Sequence, residues 1–250
     1  MMGNYADALP YLKIAKDALD SDGGKKFINM NEIIDEDWGE FTDYPFFNVS
    51  PETVLSILGM PNLWTALGPM FGTPHRTLRA DIMEDYFDTG DYRLAFFTGV
   101  DSGETAYADF DPDDRYYPNS AWMESNEGIT YSDVWLMYAE CAAREGDTGT
   151  ARTVLTELRN NRMADGSIPA SVSSDDDLVK FIVAERVREN FGIGTLWYDM
   201  RRLWNDPLFQ DMKQYYTRTD GTNTFTLSET RLTMRIPPAV MAYHPEYVQN

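Results

Sequence analysis

The sequence predicts an all-α fold of helical hairpins joined by long irregular loops. Three segments support this prediction. Residues 129–163 carry two apolar stripes of helical period on either side of a Gly-Asp turn, and residues 3–19 carry a third stripe. Residues 173–190 open with a helix-capping pattern and continue as an amphipathic run. Strands are expected only as short pieces, for example within residues 225–237, where Thr, Leu and Met alternate poorly.

Residues 129–163 predict two helices that pack against each other. Apolar residues recur at helical spacing in both halves: Val134, Tyr138, Cys141 and Ala142, then Ala151, Val154, Leu155 and Leu158. Four positions agree with the spacings of the tetratricopeptide pattern, namely Trp135, Ala139, Gly146 and Ala151. Tyr138 stands where that pattern has Leu. Small residues at 139 and 151 would allow the two helix backbones to approach closely.

The start of the chain resembles the second half of such a hairpin. Gly3 and Ala8 are five positions apart, as are Gly146 and Ala151. The following segment carries an apolar stripe made of Ala8, Leu12, Ala15 and Leu19. Because a repeat helix cannot bury such a face alone, we expect its partner upstream of Met1, in a longer protein. On this reasoning the chain alone would expose an apolar patch and self-associate.

The segment 173–190 predicts a capped helix with a charged inner face. Ser173 and Ser174 precede Asp176 and Asp177 by three residues, which is the spacing of a capping box. The apolar residues that would bury this helix are Leu178, Phe181, Ile182 and Val183. Glu185 and Glu189 lie four apart on one face, and Asp199, Arg201 and Arg202 follow. This mixture of signs favours a structural ion-pair network over a catalytic carboxylate pair.

Composition narrows the possible functions. The formal net charge of −20, without a basic stripe, argues against nucleic acid as a partner. A single cysteine, Cys141, excludes an intrachain disulfide, and with only two histidines a zinc site is not expected. Asp109, Asp111 and Asp113 alternate as in calcium loops, but position 114 is not Gly and position 120 is not Glu. A solvated acidic turn is the favoured interpretation, and we predict neither a metal nor a cofactor.

Aromatic residues concentrate in three loop-like stretches. Residues 35–47 combine five aromatic rings with neighbouring acidic residues, among them Asp37, Glu40 and Asp43, around Gly39 and Pro45. Flat rings stack on the C–H faces of sugars, and neighbouring polar groups bond the hydroxyls. Packing in the core is the alternative, and it is favoured for Phe46 and Phe47. The candidate glycan-binding residues are Trp38, Tyr44, Trp64 and Trp122, with Asp43, His75 and Arg76 as polar partners.

Four motifs together resemble one family. They are "GITYSDVWLMYAECAAREGD" (128–147), continued by "ARTVLTELRNNR"; "VAERVRENFGIGTLWYDMRRL" (183–203); the tail "RIPPAVMAYHPEYVQN"; and "LRADIMEDYFDTGDYRLAFF", which contains Asp91 and Arg93. They resemble the SusD/RagB family of nutrient-binding outer-membrane lipoproteins. Four positions depart from the family pattern: Thr130, Ile193, Val240 and His244.

The resemblance implies a function as well as a fold. It implies a glycan-binding protein without catalysis, lipid-anchored at the outer surface of the outer membrane, that delivers oligosaccharide to a SusC-like TonB-dependent transporter. The chain would be the C-terminal part of one SusD-like domain. Its parts would be a partial repeat helix (1–20), a loop-rich glycan-facing region (21–128), the hairpin (129–163) and a C-terminal region (164–250). The alternatives are a tetratricopeptide scaffold that binds a protein segment, and a glycoside hydrolase with a carboxylate pair.

Overall fold

A computed structural model describes residues 3–33, 51–55, 78–79, 86–93, 115–116, 128–190, 195–219 and 222–249. These residues are mostly helical, which confirms the all-α prediction. The chain forms two compact units. One unit comprises Asn4–Ile193, and the other comprises Gly194–Asn250 together with Met1–Gly3.

The helices described in full in the larger unit are α1 (Tyr5–Ser21), α2 (Met30–Ile33), α3 (Tyr131–Arg144), α4 (Thr148–Asn160) and α5 (Asp175–Glu189). Its short strands are β1 (Thr53–Leu55), β2 (Leu78–Arg79), β3 (Arg115–Tyr116) and β4 (Ile129–Thr130). β1 pairs antiparallel with β4, and β2 pairs antiparallel with β3. The described core therefore consists of helices, and the β1–β4 pair attaches residues 53–55 to the segment that leads into α3.

The predicted hairpin is present as α3 and α4. Gly146 has a φ of +86°, and its N–H donates to Ala143 O while the next N–H, of Asp147, donates to Ala142 O. These two hydrogen bonds form a Schellman motif that ends α3, and this motif favours glycine at the position of Gly146. Asp147 then caps α4 by accepting from the Thr150 N–H at 3.1 Å. Both Ala139 and Ala151 are completely buried, as expected for closely packed backbones.

Helix α1 packs on α3 within the same chain. Lys16 Nζ lies 3.9 Å from the centre of the Trp135 ring, and the Tyr131 hydroxyl donates to Asp20 Oδ1 at 2.7 Å. The expectation that the stripe on this helix lacks a partner inside the chain was therefore wrong. The residues of the stripe are half-buried, while Tyr11 and Ile14 are exposed by 74% and 67%.

Helix α5 packs against α3 and α4. It begins with a capping box, in which Ser174 Oγ accepts from the Asp177 N–H and the Asp177 carboxylate accepts from the Ser174 N–H. The sequence predicted this cap and the apolar face of the helix. Of the four predicted residues on that face, Leu178, Ile182 and Val183 are buried and Phe181 is half-buried.

The smaller unit contains α6 (Thr195–Leu203), a 3₁₀ helix (Pro207–Tyr215), the hairpin of β5 (Thr217–Thr219) and β6 (Thr224–Thr226), a second 3₁₀ helix (Glu229–Leu232) and α7 (Pro238–Tyr243). Leu203, Phe209 and Leu232 are buried in it. The strand expected within residues 225–237 is confined to its first two residues. A 3₁₀ helix replaces it from Glu229, consistent with the poor alternation of that segment.

Candidate functional site

The residues that the sequence nominated for glycan binding lie outside the described residues. These are Trp38, Asp43, Tyr44, Trp64, His75, Arg76 and Trp122. The acidic turn with Asp109, Asp111 and Asp113 lies outside them as well. Their roles stay predictions. Among the described residues, the larger unit brings together a set of charged side chains.

The larger unit contains a buried cluster of arginines and carboxylates, which we term the charge cluster. It consists of Glu52, Asp88, Asp91, Arg93, Arg159, Arg162, Glu185, Arg188 and Glu189. Apart from Asp88, every one of these residues is buried. Buried charges are stable in a fold only when they are paired and hydrogen-bonded, so each contact in the cluster has an energetic consequence.

Arg93 joins the segment of residues 91–93 to helix α5. Its Nε and Nη2 bind both carboxylate oxygens of Asp91, at 2.9 Å and 2.6 Å for the shortest pairs. Its Nη1 donates to Glu189 Oε2 at 3.0 Å, and its Nη2 also donates to Glu185 Oε1. The bidentate fork of Arg93 is thus shared between one carboxylate of its own segment and two of α5.

Arg162 follows α4 and has the widest reach in the cluster. Its Nη2 lies 2.6 Å from Glu189 Oε1 and 2.8 Å from both carboxylate oxygens of Glu52. Its Nη1 donates to the backbone oxygen of Ile28 at 2.7 Å. The Glu52 carboxylate in turn accepts from the Ile28 N–H, also at 2.7 Å. One guanidinium therefore connects α5 to two loop segments that are distant in sequence.

Arg159 and Arg188 complete the contacts of Glu185. Arg159 Nη1 donates to Glu185 Oε2 at 2.7 Å, its Nη2 reaches Asp88 Oδ2 at 2.7 Å, and its Nε reaches Gly166 O at 3.2 Å. Arg188 Nη1 lies 3.1 Å from Glu185 Oε2. Glu185 therefore accepts hydrogen bonds from three guanidinium groups, including that of Arg93.

Helical spacing explains how these side chains meet. Glu185 and Glu189 are one turn apart on α5, and so point to the same side. Arg159, near the end of α4, and Arg162, just beyond it, are three residues apart and face the two glutamates. The packing of α4 beside α5 thus creates the centre of the cluster.

The ionisation of Glu185 follows from these contacts. Burial disfavours its charged form, but the charges of Arg93, Arg188 and Arg159 outweigh burial and lower its pKa to about 2. Burial likewise opposes the ionisation of Glu189, and Arg162 and Arg93 lower its pKa. Both carboxylates are therefore ionised near neutral pH.

The pKa of Glu52 is shifted in the opposite direction, upward from its ordinary value. Burial raises its pKa, Arg162 partly offsets that effect, and the nearby negative charge of Glu189 raises the pKa further. Arg162, although buried, has a raised pKa because Glu189 and Glu52 stabilise its charge. Two carboxylates share this guanidinium, and Glu52 is the one whose charge is less well stabilised.

Comparison with known proteins gives a family for the chain. The sequence model of the SusD family matches residues 119–242, which include α3, α4, α5 and α6. The chain belongs to the SusD/RagB family. Solved structures that match the SusD-family chain include a SusD-like protein from Bacteroides fragilis, with 18% identity and a TM-score of 0.38. That match covers 58% of this chain and 27% of the solved chain. No curated protein matches this sequence significantly.

The sequence predicted the kind of site in this SusD-family chain but not its partners. Glu185 and Glu189 do belong to a buried ion-pair network. The partners that the structure describes for them come from positions 93, 159, 162 and 188, whereas the sequence had grouped them with Arg201 and Arg202. Within α6, Arg202 pairs with Asp199, three residues earlier, with Nε 2.6 Å from Oδ1.

Several members of the cluster were missed by sequence reasoning. Glu52, Arg159 and Arg162 stand in segments that carry no recognisable charge motif. The spacing of Arg159 and Arg162, three apart near a predicted helix end, was the available signal. Asp91 and Arg93 were singled out only by their likeness to a SusD-family motif, and the structure shows them as a buried bidentate pair.

The geometry favours a structural role for the cluster. Glu185 is completely buried and surrounded by guanidinium groups, so its carboxylate does not face a substrate. A general acid must be protonated near the working pH, whereas a carboxyl group with a pKa of about 2 is ionised there. Among the residues described, no group of His, Cys, Asp or Glu is placed to hold a metal ion. None of the helices in this part of the chain is long and apolar enough to cross a membrane.

Proposed function

We propose that this protein binds glycans at the cell surface and passes the captured oligosaccharide to a SusC-like TonB-dependent outer-membrane transporter. In the full-length protein a lipid anchor would hold it on the outer membrane. The single observation that carries this proposal is the match of residues 119–242 to the SusD family, a family of nutrient-binding proteins. Binding rather than catalysis is the activity we assign.

The aromatic stretches supply the chemistry for glycan binding. Sugars offer an apolar C–H face and need their hydroxyls to stay hydrogen-bonded, so a binding surface combines rigid rings with polar neighbours. Trp38 has the largest ring face in residues 35–47, and Asp43 and Tyr44 follow it. Trp64, His75, Arg76 and Trp122 are the further candidates. We assign Trp38 the leading role.

Glycan-array screening followed by isothermal titration with the best-bound oligosaccharide tests the proposal. Trp38→Ala is expected to weaken binding about tenfold or more, because a stacking ring contributes on the order of 1–3 kcal/mol by analogy with bases on aromatic side chains. Tyr44→Ala is expected to weaken binding less. Tyr198→Ala is the matched control for Tyr44→Ala and should leave binding unchanged, since Tyr198 lies in α6 and is 69% exposed.

Three results would contradict parts of this assignment. Equal affinity of wild type and Trp38→Ala, or loss of folding in the variant, would remove Trp38 from the site. Release of reducing sugar during incubation would indicate a glycoside hydrolase. Failure of the co-expressed SusC-like transporter to co-purify with the full-length protein would contradict the delivery step.

A further inference from the structure

Two loop segments of the larger unit meet at one ion pair. Ile28 uses both of its backbone polar groups there: its N–H donates to Glu52 Oε1 and its oxygen accepts from Arg162 Nη1, each at 2.7 Å. Ile28 and Glu52 are 24 positions apart in the sequence, and Arg162 is 110 positions beyond Glu52. The pair thus holds both ends of one stretch of chain at one point of the helical core.

Further contacts fix the same two segments. The N–H of Met30 donates to the oxygen of Asn161 at 2.8 Å, immediately before Arg162. The N–H of Tyr131, the first residue of α3, donates to the oxygen of Glu52 at 2.6 Å. Glu52 and Arg162 are both completely buried, whereas the neighbouring residues Val54 and Leu55 are exposed. A buried ion pair therefore lies at this junction, beside the buried apolar residues Phe27, Ile28 and Met30.

We propose that Glu52 and Arg162 form an anchor that holds the two ends of the stretch between Ile28 and Glu52 on the helical core. In sequence, that stretch contains Trp38, Asp43 and Tyr44, so the consequence for ligand binding rests on the proposed glycan-binding function. Because the two ends are already joined in the folded chain, the entropy cost of closing this loop is incurred on folding, before any ligand binds. Less entropy is then lost on binding, which is the physical basis of pre-organisation.

The two partners have different tasks in this anchor. Arg162 keeps Glu189 as a partner when Glu52 is removed, so the core side of the cluster stays paired. Removing Glu52 leaves the buried Ile28 N–H without its acceptor and takes away the loop-side charge. Substitution of Glu52 therefore tests the loop attachment with less disturbance of α4 and α5 than substitution of Arg162.

Hydrogen exchange of the ligand-free chain, read by mass spectrometry, tests the anchor independently of any glycan. In Glu52→Ala, peptides covering residues 25–33 and 51–55 are expected to exchange at least tenfold faster. Peptides from α4 and α5 are expected to stay within twofold of wild type. Glu157→Ala, an exposed glutamate on α4, is the matched control and should leave the loop peptides unchanged.

Glu52→Gln serves as the conservative variant. Its amide oxygen still accepts from Ile28 but it carries no charge, so exchange intermediate between wild type and Glu52→Ala is expected. Unchanged loop exchange in both variants would overturn the anchor. An equal rise in all peptides, or failure of both variants to fold, would also overturn it, because Glu52 would then serve overall stability. None of these results depends on whether the protein binds glycan.

Discussion

At the scale of single residues, the charge cluster shows how a buried glutamate becomes structural. Glu185 faces the guanidinium groups of Arg93, Arg159 and Arg188, and it is completely buried. A carboxylate in that position stabilises the fold only as long as its charge and its partners remain, since an unpaired buried charge is strongly destabilising. Substitution of Glu185 and the pH dependence of stability both measure this contribution.

Glu185→Ala is expected to lower the free energy of unfolding by about 3–5 kcal/mol, because it leaves buried arginine charges without a partner. Chemical denaturation followed by circular dichroism measures this loss. Glu145→Ala is the control, since Glu145 is exposed in the turn after α3 and should change stability by no more than about 0.5 kcal/mol. Equal stability of the two variants would show that the cluster does not stabilise the fold.

The pH dependence of stability should carry the signature of Glu185. Its pKa is about 2 in the folded state and 4.5 ordinarily, so the unfolded chain binds its proton more tightly. Its contribution is thus complete above the ordinary value and is lost as the pH falls through about 2. Melting temperatures of wild type and Glu185→Gln should therefore converge between pH 5 and about pH 2. A constant difference across that window would contradict the pKa assignment.

Gly166 illustrates a steric constraint on one residue. A Cβ at this position would overlap the backbone of Arg159 and Asn160, and the Gly166 oxygen accepts from Arg159 Nε. Gly166→Ala is expected to destabilise the protein by about 1–3 kcal/mol, because the loop must move away from a cluster arginine.

Gly149→Ala is the matched substitution for Gly166→Ala. Nothing lies near the added Cβ of Gly149 in the first turn of α4, so the variant should gain up to about 1 kcal/mol from helix propensity. Thermal melts of both variants measure the contrast. A neutral Gly166→Ala would show that the loop tolerates a side chain.

At the scale of elements, the central helices begin at side-chain caps that are visible in the sequence. Thr130 caps α3 by accepting from the Asp133 N–H, Asp147 caps α4, and Ser174 caps α5. Thr130 is one of the departures from the family pattern, and its hydroxyl has this capping role. Caps depend on residues three apart, which explains why the sequence alone predicted the start of α5.

Ser174→Ala is expected to cost about 1 kcal/mol of stability, because the Asp177 N–H loses its acceptor and the capping box is broken. Ser171→Ala is the control: Ser171 is exposed and precedes the helix, and its loss should cost no more than about 0.5 kcal/mol. Urea denaturation separates the two values. A Ser174→Ala variant as stable as its control would mean that the box does not contribute to the stability of α5.

At the scale of the whole molecule, the chain divides into two compact units with separate internal contacts. The charge cluster, the α3–α4 hairpin and the packing of α1 on α3 all lie within Asn4–Ile193. Because its stabilising contacts are internal, we expect a chain of residues 4–193 to fold alone with a cooperative melt. Circular dichroism and the exchange protection of α3 and α5 measure this. An unfolded 4–193 chain would show that the larger unit depends on the rest of the protein.

Sequence alone determined the helical fold class, the α3–α4 hairpin with Gly146 at its turn, and the capped start of α5. Each of these depends on residues a few positions apart, where backbone geometry and side-chain spacing set the outcome. The family, too, was recognisable from local motifs. The glycan-binding role of the seven nominated residues stays a prediction, because all seven lie outside the described residues.

Only the tertiary structure decided which charges pair and what α1 packs against. Arg93 meets Glu185 across 92 positions, and Arg162 meets Glu52 across 110. Pairing over such separations follows from how helices and loop segments pack, because a buried arginine takes whichever carboxylates the packing brings within hydrogen-bonding distance. Sequence spacing pointed instead to Arg201 and Arg202, the arginines that follow α5 along the chain. Packing likewise placed α1 on α3, where the sequence had suggested a helix upstream of Met1.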